Sequence, residues 1–105
     1  MLNQVDTVRN AVLNIEELVQ QVQQEARVLS KVEKLRVYNL VEGFIFHQIG
    51  FDTLIGAERI TVEEAIKALK GMIEPAKREH RELDDLEKEI IRCNAKSLLL
   101  ALGFK

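Results

Sequence analysis

A chain of 105 residues, 47% hydrophobic and 30% charged, has the size of one domain with one core and enough apolar material to exclude global disorder. Its 15 basic and 17 acidic side chains are interspersed and leave a net charge of −2, which excludes a broad electrostatic field for nucleic acid or an anionic membrane. One proline and five glycines are too few turn residues for a many-stranded sheet. The expected fold is therefore all-α: an antiparallel helical bundle of three long helices and one short helix with heptad-type packing, a single domain over residues 1–105.

The segment Met1–Ala11 is interrupted by Asn3, Gln4, Asp6, Arg9 and Asn10 and lacks the apolar core of a signal peptide. The longest apolar runs, 44–46 and 98–102, are too short to cross a bilayer. Cys93 is the only cysteine, so no intrachain disulfide forms. The expectation is a cytoplasmic protein that does not enter a membrane.

The first predicted helix covers residues 3–29. Val5, Val8, Val12, Ile15, Val19, Val22, Ala26 and Leu29 step by three and four, the spacing of a heptad seam. Gln20, Gln21, Gln23, Gln24 and Glu25 coat the other side. Ser30 followed by Glu33 has capping-box spacing and predicts a second helix over 31–55; without a glycine or proline between them, the alternative is one continuous helix. The second helix is apolar on more than one face, from Leu35 to Ile55, which suits the centre of a bundle. Gly43 and Gly50 lie on one side of it, as if a neighbouring helix approached closely there, or Gly50 ends the helix early.

Gly56 supplies a turn, and Thr61 with Glu64 repeats the capping-box spacing, opening a short helix over 62–73 with Val62, Ala65, Ile66, Leu69, Met72 and Ile73 inward. Pro75 reads as the restart of a fourth helix over 75–102, ended by Gly103. Its seam is Ala76, Leu83, Leu86, Ile90, Cys93, Ser97 and Leu100, and Glu74 with Arg78 and Asp84 with Lys88 are spaced for i to i+4 support. The leucine-rich end, Ser97–Phe104, exceeds what one buried stripe needs. No internal repeat or low-complexity linker stands out.

Candidate sites are few. Phe46-His47-Gln48-Ile49-Gly50, with Gly56 beyond, resembles the phosphoacceptor segment of histidine phosphotransfer domains, which are four-helix bundles. In that family the histidine stands four residues before a glycine with a lysine between; here Gly50 is three residues after His47, and Ile49 or Gly50 takes the lysine position. Among Phe44, Ile45, Phe46 and Ile49, His47 is expected to be a partly buried structural histidine, and His80 a surface one.

Glu82-Leu83-Asp84-Asp85 contains an E-x-x-D step, similar to half of the magnesium site of all-α nucleotide pyrophosphatases. Glu82 and Asp85, one turn apart, can share a hard cation. The family's second pair is missing, since Glu17 and Glu64 are followed three residues later by Gln20 and Lys67; Glu63 or Glu64 of the short helix is the further carboxylate such a site would draw on. Cys93 is expected to be a small core residue. Two basic clusters, Arg27, Lys31, Lys34 and Arg36, then Lys77, Arg78 and Arg81, are diluted by acids and lack stacking aromatics, so they read as solvated faces.

The resulting expectation is a non-enzymatic interaction or assembly module with no metal or cofactor, acting through helix–helix packing. Its partner is a second copy or another protein's helix, its surface the seam Val5, Val8, Val12, Ile15, Val19 and Val22, and nucleic acid is not expected to bind. The enzymatic alternatives are a metal-dependent nucleotide-phosphate hydrolase using Glu82 and Asp85, or phosphotransfer through His47.

Overall fold

The protein is seen in a computed structural model that describes residues 3–104. The described residues form an all-α bundle without strands: α1 (Gln4–Gln24), α2 (Lys31–Leu40), a π-helical turn (Val41–Phe46), α3 (His47–Ile49), α4 (Val62–Arg78) and α5 (Asp85–Ala101). α2, the π turn and α3 follow one another without a break, so the chain is in effect four helical rods. Each rod starts on a polar residue whose side chain accepts the free amide three residues on: Asn3, Ser30, Thr61 and Asp84. The boxes foreseen at Ser30/Glu33 and Thr61/Glu64 are formed, and Asp84/Glu87 makes a third.

Several boundaries differ from expectation. α1 stops at Gln24 and α4 runs through Pro75 to Arg78, and both stops have the same cause. Ala26 (φ 52°) and His80 (φ 53°) adopt the left-handed conformation usually left to glycine. The Arg27 and Arg81 amides then reach back to the Val22 and Ala76 carbonyls, and the Ala26 and His80 amides to Gln23 and Lys77, closing a Schellman-type end. Pro75 does not restart a helix; it sits inside α4, where it forgoes one backbone hydrogen bond. The second rod ends at Gly50 (φ 83°) instead of residue 55. A side chain at Gly43 or Gly50 would meet nothing within 4 Å, so a close helix approach is not their reason.

The turns of the two helical hairpins repeat one arrangement, residue n of the first corresponding to residue n + 54 of the second. In the first turn the Arg27 guanidinium bonds Glu25 and both carboxylate oxygens of Glu33 (2.6 and 2.9 Å), while Ser30 and Glu33 cap each other. In the second, Arg81 bonds Glu79 and both oxygens of Glu87 (2.6 and 2.9 Å), while Asp84 and Glu87 cap each other. Thr7/Thr61, Val8/Val62, Ala11/Ala65, Leu29/Leu83 and Lys34/Lys88 are identical pairs, and Val12/Ile66, Ile15/Leu69, Val19/Ile73 and Val37/Ile91 are paired core positions. The repeat escapes direct inspection because most matches are apolar for apolar, which the period of any amphipathic helix also produces.

α1 and α4 lie antiparallel, as the bridges Asp6–Lys77, Arg9–Glu74 and Glu16–Lys70 require. Glu16 and Lys70 are themselves matched positions, and because α1 and α4 run antiparallel the two turns lie at opposite ends of this pair. The core is built from Val8, Val12, Ile15, Val37, Val41, Ile45, Leu69, Ile73, Ile91 and Leu98, all under 2% exposed. α5 buries Ile91, Ala95 and Leu98, not the seam through Leu86 and Leu100, which stay 66% and 40% exposed. Glu74 pairs with Arg9 and Asp84 caps α5, so neither uses the i+4 partner that its spacing offered.

Candidate functional site

The α1 seam lies inside the chain. Val5, Val8, Val12, Ile15, Val19 and Val22 are all buried, in a helix that packs on α4, the π turn and α2. The expectation that these six meet a second copy or a partner's helix does not fit this burial: α4 together with the π turn and α2 of the same chain covers them.

The apolar surface left over is elsewhere. In the turn before α2 and on α2 itself, Val28, Val32 and Leu35 are 85%, 76% and 45% exposed. Val32, Leu35 and Asn39, at three- and four-residue steps, form a strip on the side of α2 opposite buried Val37, and Val28 precedes it in the turn. A second apolar group, Phe44, Phe51, Leu54 and Ile55, is exposed on the π turn and the segment after it.

That segment, Gly50–Thr61, crosses α5 as a strap. The Glu89 carboxylate accepts from the Thr53 hydroxyl and from the Leu54 and Ile55 amides (2.6 and 3.3 Å), and its other oxygen from Arg92 (3.0 Å). Hydrogen bonding from Thr53, then from Arg92, holds the Glu89 carboxyl near about 2. Further along, the Glu58 amide donates to the Ser97 hydroxyl (3.0 Å), and Arg92 also donates to the Ile49 carbonyl (2.6 Å). Cys93 is thus not a core residue: it is half-buried beneath the strap with its Sγ 2.8 Å from the Thr53 hydroxyl. The physical reason is register, since α5 turns Ile91 and Ala95 inward and leaves Glu89, Cys93 and Ser97 to anchor the strap.

The chemical candidates do not assemble. His47 is exposed, not partly buried, because the wider π turn before it directs Ile45, Phe46 and Ile49 inward and turns His47 out. Glu82 and Asp85 are exposed at the α4–α5 turn, whereas Glu63, hydrogen-bonded to Gln23, and Glu64, capping Thr61, stand at the other end of α4. The two groups stand at opposite ends of α4, which is seventeen residues or about 25 Å long. Among the described residues no three His, Cys, Asp or Glu side chains group as a metal site. Arg27, Arg81 and Lys77 of the basic clusters are consumed by Glu25, Glu33, Glu79, Glu87 and Asp6. No described helix is long and apolar enough to cross a membrane.

Comparison with known proteins decides nothing further. No family model, curated protein or solved structure matches the chain. The sequence had signalled the apolar surplus of the second helix, but the π turn, the Glu89 latch and the strap had no recognisable signature in it.

Proposed function

We propose that the protein is a non-enzymatic interaction module, working in the cytoplasm, whose contact surface is the outer strip of α2 and not the α1 seam. The observation that carries this reading is the exposure of Val32 and Leu35 together on one face of α2, with Val28 exposed in the turn just before it. Isolated exposed apolar residues are ordinary, but a contiguous strip at heptad spacing is what a helix-binding surface presents. Val at one core position, Leu at the next and Asn39 at the third also follow the residue preferences of two-stranded packing, in which a single polar core residue fixes register. A second copy is the expected occupant, and a partner protein's helix is the other candidate.

Light scattering over a concentration series, on wild type and on Val32→Glu/Leu35→Glu, is the test. A mass rising toward twice that of one chain in the wild type alone supports self-association. The reading fails if the wild type stays at single-chain mass and retains no lysate protein that the double variant does not also retain. The enzymatic readings through Glu82 and Asp85 or through His47 have no observation in their favour.

A further inference from the structure

Five side chains in this protein are aromatic, four Phe and one Tyr, and four of them line one groove. Tyr38 of α2, Phe46 of the π turn, Phe51 of the strap and Phe104 beyond α5 surround a space of about 500 Å³ floored by Leu99 and Leu100. That volume falls within the range of small-ligand pockets, and an apolar lining with few polar groups is their usual chemistry. Tyr38 and Phe104 close one side, their ring centroids 5.0 Å apart. Phe51 is held on the other side by the strap, which Glu89 and Ser97 fasten to α5.

Two features make this more than an uncovered apolar face. One is the π turn, a rare distortion that recurs at functional sites and here supplies both Phe46 and Glu42 to the groove. The other is charge. Lys96 lines the groove with its Nζ 5.8 Å from the Phe51 ring centroid, half-buried and without an acidic partner among the described residues. Glu42, its matched position in the first hairpin, also lines the groove but is exposed on the π turn, more so than half-buried Lys96.

The geometry points to a binding site for a small planar aromatic carboxylate, its ring among the four aromatic side chains and its carboxylate on Lys96. A cation held over the ring wall by Phe51 is aimed where such a carboxylate would lie. The site does not depend on the α2 strip, whose Val32 and Leu35 lie outside the groove.

The test is titration of the intact protein with 2-naphthoate, 2-naphthamide and 2-naphthylmethylamine, followed by calorimetry and by shifts of aromatic NMR signals. The expected result is saturable binding that favours the carboxylate over the amide by about fivefold, the upper range for one solvent-exposed charge pair. Lys96→Met removes that preference, Glu42→Gln tightens naphthoate about twofold, and Phe51→Ala weakens all three probes. Melting curves of these surface variants should match the wild type, so a lost signal is not lost folding. No saturable binding at millimolar probe, a preference for the amine, or naphthoate binding indifferent to Lys96→Met would each overturn the proposal.

Discussion

Replacing Val12 by Glu separates a buried seam from a partner surface. Val12 is 1% exposed in the middle of the core, so the substitution removes a fully buried side chain, a loss of roughly 1.5–3 kcal/mol, and adds a carboxyl group without a partner, at least about another 1–3 kcal/mol. About 4 kcal/mol is a large part of the stability of a 105-residue domain, roughly 5–15 kcal/mol. With an unfolding entropy near 2 cal/mol/K per residue, the midpoint should fall by roughly 15–20 °C. Val32→Glu, at 76% exposure, should move it by no more than about 3 °C. Circular dichroism melts of both variants at one low protein concentration decide the matter. A Val12→Glu midpoint within a few degrees of wild type would mean that α1 is not packed inside the chain, and the fold described above would be wrong.

Three further outcomes are expected. Glu33 is held near about 2, first by Arg27 and then by the Ser30 amide, Glu87 near about 2, first by Arg81, and Glu89 near about 2, first by Thr53, against an ordinary 4.5. Because folding lowers these values, their stabilisation is fully present above about pH 4.5 and is lost as pH falls toward 2; melts across that interval should show the decline, and Glu89→Gln should make it shallower. Ala26→Gly and His80→Gly should each raise the midpoint, by about 1 kcal/mol or a few degrees, since each relieves a left-handed non-glycine residue; a lower midpoint would refute the account of the helix ends. Exchanging Glu16 and Lys70 in one double variant should recover most of what either single reversal loses, and a double variant as unstable as the worse single one would argue against the antiparallel α1–α4 register.

The sequence carried the fold class well because helix period and N-terminal caps are local signals: the Val5–Val22 seam, Ser30/Glu33 and Thr61/Glu64 all appear where their spacing put them. Helix ends were legible only where glycine marks them. Ala26 and His80 adopt a glycine-like conformation, stabilised by an arginine bridging the two helices, and nothing in a list of turn-formers reveals that. Pro75 misled for the opposite reason, since burial of Ile73 and Ala76 on either side outweighs one missing hydrogen bond and carries α4 through it. The seam itself was read correctly and its partner incorrectly, because periodicity says that a face must be covered and is silent on which helix covers it. His47 was misplaced by the π turn, which rotates every residue after it relative to a regular helix.

Carrying two matched turns in one polypeptide has a consequence for matched positions that line the same groove. In a pair of identical polypeptides, symmetry would force the same amino acid onto both sides, so an acid could face only an acid. Here position 42 carries Glu and position 96 carries Lys. A single polypeptide is free of that constraint, and the groove thereby carries a cation at one matched position and an anion at the other.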